Sequence, residues 1–151
     1  MNIEKHIIRI AFWTSALAVM FIVFAVAAFA QDAVLQDHAV QAQMVCLYKT
    51  MLFDKYEHAF SIKGDWTPTA ISSSAASRSV HVNVRTDDLA FIHTHPPGTD
   101  QHPSQQDIAI AQRMGFPNYE LSVFALWVAM PDGTSHKVGD VNFKHGELEI
   151  K

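Results

Sequence analysis

The chain has 151 residues and a single cysteine, Cys46. No disulfide can close within it, so the fold has to be held by its apolar core, helped at most by a bound ion. Basic residues are few. Beyond residue 30 there are nine Lys and Arg (the total of 11 less Lys5 and Arg9) against fourteen Asp and Glu (the total of 15 less Glu4). That balance gives no electrostatic footprint for DNA or RNA and excludes nucleic acid as a partner class. Repeats and low-complexity linkers are missing as well. Residues 31–151 therefore read as one domain, long enough for one core and too short for two. No Cys-His signature surrounds Cys46, which reads as a small, buried apolar residue on a helix and not as a nucleophile.

Charge is also missing from residues 10–30, "IAFWTSALAVMFIVFAVAAFA", which follow Lys5 and Arg9. This is the pattern of an export signal, and Ala28, Phe29 and Ala30 form a small-x-small cleavage site ahead of Gln31. Residues 1–30 are thus expected to be a signal peptide. The alternative is an uncleaved N-terminal membrane anchor, because an apolar run of roughly 20 residues spans a bilayer. In either case Lys5 and Arg9 hold the N-terminus inside, and residues 31–151 are expected outside the cytoplasm, periplasmic or extracellular. Membrane contact is expected only through the uncleaved segment.

From Asp32 to Phe53 there is no Gly or Pro. Val34, Leu35, Ala39, Ala42, Val45, Cys46 and Leu52 recur near helical spacing, which predicts one amphipathic helix. "EHAFSIKG", "TPTAISSS" and "SVHVNVR" read as short strands, with a polar turn at "SSSAASR". "LAFIHTH" suits a buried strand emerging into the irregular loop "PPGTDQHP", and "SQQDIAIAQRMG" a capped helix ended by Gly115. "ELSVFALWVAM", "PDG" and "TSHKVG" predict a hairpin, and "VNFKHGELEIK" a final strand. This order predicts an α+β fold, a mixed β-sheet flanked by helices.

Successive side chains of a strand point to opposite faces, so His93 and His95 project the same way and offer two imidazoles to one ion. Ser104 stands at a helix N-cap with Asp107 in the first turn, which adds a carboxylate beside the preceding loop. Two neutral histidines and a carboxylate form a ligand set that zinc accepts, with a fourth position left for chemistry. "SQQD" alone is only a capping box, and "HPPGTDQHP" alone only a polar turn. Their combination in one register favours the metal site.

"HTHP" followed by "PSQQDI" resembles the signature of the JAMM metallopeptidases, also called JAB or MPN-type domains. The resemblance implies an MPN fold, of cytidine-deaminase-like arrangement, and a bound Zn2+ held by His93, His95 and Asp107. It further implies that Ser104 helps to stabilise an oxyanion and that an upstream glutamate is the general base. The family's glutamate opens a strand as E-x-x-G-x-x-x-G, and "EHAFSIKG" supplies Glu57 and Gly64 in that spacing. Two departures stand out. Phe60 replaces the first glycine, and the loop from Pro96 to Ser104 is one residue longer than the family's commonest form. Glu57 is the only glutamate between Glu4 and Glu120, with Asp54 and Asp65 the nearest other acids.

The implied reaction is amide hydrolysis of a peptide or protein substrate. Outside the membrane that means an envelope protein or a peptidoglycan stem peptide. Two other classes compete: a catalytically silent MPN-like binding module, and an extracytoplasmic metal-binding protein for which Glu57 is irrelevant. His102 lies in the ligand loop but reads as solvated; His58, His81, His136 and His145 read as surface or core-edge residues, and Trp66 and Trp127 as core or groove wall.

Overall fold

The stretch that reads as one helix from Asp32 is broken at Asp37 in the computed structural model, which describes residues 33–74 and 80–151. A helical turn covers residues 33–36. Asp37 is extended, and its carboxylate accepts the N–H groups of Ala39 and Val40 at 2.8 and 3.1 Å to start helix α1 (His38–Asp54). A side chain that satisfies two orphan donors favours a new start over continuation. The buried face also differs from the expected one. Val40, Met44, Leu47, Tyr48 and Met51 face the core, whereas Ala39, Ala42, Cys46 and Leu52 are exposed. Apolar residues surround this helix, and the larger ones, spaced about a turn apart, take the core because they bury more area. Cys46 is accordingly an exposed thiol, not a buried one.

The strands are β1 (His58–Ile62), β2 (Ser72–Ser73), β3 (Ala90–Thr94), β4 (Asn118–Leu121), β5 (Ala125–Ala129), β6 (Ser135–Lys144) and β7 (Glu147–Ile150). They form one seven-stranded sheet in the order β2-β1-β3-β4-β5-β6-β7. β3 and β4 are parallel and joined by helix α2 (Gln105–Met114), while every other neighbouring pair is antiparallel. The fold is α+β with a mixed sheet, as expected.

Three strand expectations are corrected. "SVHVNVR" joins no ladder in its described part. Val80, Val82 and Val84 alternate because they pack on Ala59, Phe91 and Phe116. "ELSVFALWVAM" is two strands, since the Ser122 hydroxyl accepts the N–H of Ala125 at 3.0 Å and closes a turn. At the C-terminus a second hairpin replaces a single strand, turning at His145 and Gly146 with φ of 54° and 90°.

The sheet's period of two sorts the residues. Phe60, Ile62, Ala90, Ile92, Tyr119, Leu121, Leu126 and Val128 join the α1 residues in the main core. The opposite face carries Ala59, His93, Glu120 and Trp127 side by side, one from each of β1, β3, β4 and β5. Residues 34–151 form one compact unit. Among the described residues no helix is long and apolar enough to cross a membrane. The signal or anchor expected at residues 1–30 lies outside the described residues.

Candidate metal centre

β3 positions His93, and the residue just past its end is His95, whose N–H still bonds the Leu121 carbonyl at 3.0 Å. The two rings meet, with Nε2 atoms 3.2 Å apart. α2 brings Asp107: Oδ1 lies 3.4 Å from His93 Nε2 and Oδ2 lies 3.9 Å from His95 Nε2. The three residues predicted as ligands are therefore together, and β4 adds a fourth, Glu120, with Oε2 3.6 Å from His95 Nε2. Each of the four offers a ligand atom within 4.8 Å of all the others.

The tautomers follow from the neighbours. His95 Nδ1 lies 2.6 Å from the Asp100 carbonyl, which can only accept, so Nδ1 carries the proton. Asn118 Nδ2 donates to the Asp107 carbonyl at 3.3 Å, which turns Asn118 Oδ1 toward His93 Nδ1 at 3.1 Å and fixes that proton too. Both Nε2 atoms then present lone pairs to the same point. Burial pushes the His93 pKa down to about 4, with the neighbouring His95 adding to the effect and Asp107 opposing it. The ring is neutral and ligand-ready near neutral pH.

Glu120 is the anomaly of the structure. It is fully buried, and neither carboxylate oxygen has a hydrogen-bond partner among the described residues. Burial first, then the charges of Asp107, Asp100 and Glu57, push its pKa up to about 9. A buried carboxylate without donors is costly unless a proton or a cation satisfies it. Two imidazole lone pairs and two carboxylates converging on one point fit a divalent ion, so the residues present suit a metal.

The loop is shaped for this. Pro96 to Thr99 make a tight turn, closed by the Thr99 N–H on the Pro96 carbonyl at 3.2 Å and requiring Gly98 at φ 88°. The turn returns the chain so that Asp100 reaches His95. Ser104 and Asp107 form a full capping box: the serine hydroxyl accepts the Asp107 N–H at 3.2 Å, and Asp107 Oδ2 accepts the Ser104 N–H at 2.9 Å. The Ser104 hydroxyl also donates to Asp107 Oδ2. It would have to turn away from that oxygen to serve an oxyanion.

Glu57 immediately precedes β1. Extending the antiparallel register that pairs Ala59 with His93 brings it level with His95. It lines, with His93, His95, Ser104 and Asp107, a cavity of about 690 Å3 that Val82 and Met114 line as well.

His102 stays out of the cluster, with its ring against Trp127 at 4.6 Å. His58 is not a surface or edge residue but fully buried. Nε2 lies 2.7 Å from Asp54 Oδ1 and Nδ1 2.7 Å from Ser73 Oγ, and its N–H bonds Thr94 Oγ1 at 2.9 Å. It ties α1, β1 and β2 to Thr94, the residue between the two candidate histidine ligands. Sequence reasoning missed Glu120 and Asn118. The signal available was polar residues at alternate positions of the short strand "NYEL".

None of the protein-family models, curated proteins or solved structures compared with the chain matches it. Fold and site alone define its class, an α+β protein with a buried candidate metal centre.

Proposed function

We propose that the chain is an exported metal-dependent amide hydrolase of the JAMM type, a zinc peptidase or isopeptidase on an MPN-like sheet. The observation that supports this reading is the pair of Nε2 lone pairs, 3.2 Å apart, facing Asp107 at the foot of a cavity that Glu57 also lines. His93, His95 and Asp107 would hold the ion, which when bound supplies Lewis acidity by acidifying water and polarising a carbonyl. Glu57 takes the proton from the attacking water and delivers it to the leaving amine. Ser104 orients Asp107 through the capping box and, on rotation, donates to the developing oxyanion. The apolar cavity wall holds a side chain of an envelope protein or of a peptidoglycan stem peptide.

Metal analysis and hydrolysis of a peptide library test this. Wild type is expected to bind about one ion per chain. Glu57→Gln should retain the ion while hydrolysis falls on the order of 10²-fold or more. His95→Ala should lose both. A protein that binds no divalent ion on titration would end the reading.

Glu120 favours a second reading. A fourth protein donor closes a tetrahedral site, as in structural and storage centres. In that case the chain is an extracytoplasmic metal-binding protein, the wild type retains metal, and no peptide is cut.

A further inference from the structure

Hydrolysis at this centre needs a coordination position that the protein does not fill, yet the cluster supplies four donors, not three. The geometry points to a resolution: Glu120 is a fourth protein ligand, and the resident ion works at coordination number five or six. This inference rests on the hydrolase reading and deepens it.

Three observations carry it. Glu120 is fully buried and neither of its oxygens accepts a hydrogen bond among the described residues; its one close polar neighbour is the candidate ligand His95, 3.6 Å away. It is fixed and not adventitious, because the parallel ladder sets it directly beside His93, on the face that α2 covers. The donor spacings also fit, since bonds of roughly 2.0–2.2 Å put neighbouring ligand atoms about 3.0–3.5 Å apart. The cluster shows 3.2 Å between the imidazoles and 3.4 Å from His93 to Asp107, inside that range, with His95 to Glu120 at 3.6 Å and His95 to Asp107 at 3.9 Å somewhat longer.

Charge and hardness agree. Two neutral imidazoles and two carboxylates neutralise a divalent ion, whereas Asp107 alone leaves it cationic in a buried site. A mixed nitrogen and oxygen donor set suits ions that take more than four ligands as well as it suits tetrahedral zinc. Glu57 lines the same cavity as His93, His95 and Asp107, whereas Glu120 does not line it, so a coordination position left by the protein would open toward the base and the substrate.

The test uses cobalt(II) as a visible probe of coordination number, in wild type, Glu120→Gln and Glu120→Ala. Circular dichroism of the metal-free proteins checks folding. Wild-type cobalt protein should show the weak absorption of a five- or six-coordinate ion. Glu120→Ala should show the intense bands of a four-coordinate ion, and its cobalt and zinc affinity should fall by more than the roughly 10–100-fold lost with an outer-shell partner. Glu120→Gln, near in shape, should lie between.

Bound cobalt with identical spectra in all three proteins would remove Glu120 from the ligand set and leave the three-ligand hydrolase standing. An intense four-coordinate wild-type spectrum altered by Glu120→Ala would make the site closed, overturning the open-coordination inference. No binding of cobalt, zinc or manganese would overturn both readings. The wild-type spectrum decides the coordination number even if neither variant folds.

Discussion

Asn118 shows how much of a candidate metal centre lies one bond behind the candidate ligands. Its oxygen faces His93 Nδ1 at 3.1 Å while its amide donates to the Asp107 backbone carbonyl at 3.3 Å, so one side chain holds candidate ligands from two elements. Asn118→Ala should weaken metal binding by roughly 10–100-fold with little change in secondary structure, measured by competition against a chelator. An unchanged affinity would mean the imidazole is held by packing alone. Glu120 makes a prediction for the metal-free protein. Its carboxyl titrates at about 9 in the folded chain, raised by burial and then by Asp107, Asp100 and Glu57. An unfolded glutamate titrates near pH ~4.3. Between those values the native state holds the extra proton, so stability falls as pH rises through that window. Urea unfolding in chelator should show wild type losing up to about 1.4 kcal/mol per pH unit from roughly pH 6.5 to 8.5. Glu120→Gln, with no proton to lose, should show a flatter profile and higher stability at the upper end; equal slopes would place the proton elsewhere.

At the scale of elements, the site was legible where its residues are local and hidden where they depend on pairing. His93 and His95 follow from strand alternation and Asp107 from a helix cap, both rules that act over a few residues. Glu120 depends on β4 lying parallel to β3 in a particular register, which no local pattern states. The same limit explains the misjudged face of α1, where apolar residues occur all round and only packing against the sheet picks Val40, Met44, Leu47 and Met51. It also explains "SVHVNVR", whose alternation serves packing on Phe91 and Phe116 without a ladder. The capping box is the clearest case of local structure serving the centre, since Ser104 starts α2 and aims the Asp107 carboxylate with one hydroxyl. Ser104→Ala should cost about 1 kcal/mol of stability through the lost cap. Metal affinity should fall with it, and Ser104→Thr should restore both. If stability drops while affinity holds, the hydroxyl caps the helix without orienting the ligand.

For the folded unit as a whole, the sheet separates two tasks. The face under α1 carries the apolar core, from Val40 and Met44 across Phe60, Ile92, Tyr119 and Leu126. The other face carries the candidate ligands, under α2 and the loop that holds Asp100. A metal-dependent small domain loses its fold when the ion is removed because the ion stands in for a core. Here the core lies on the opposite face and includes none of the four candidate ligands. Chelation should therefore leave far-ultraviolet circular dichroism close to that of the loaded protein. Stability should nonetheless drop by the linkage term, about 2.7 kcal/mol relative to ion at 100 times its dissociation constant. The loss should concentrate where the ion joins three elements: hydrogen exchange should rise in β3, the following loop and the first turn of α2, while α1 stays protected. If chelation instead exposes α1 and the sheet together, the ion holds up the whole unit, and the division of labour between the two faces is wrong.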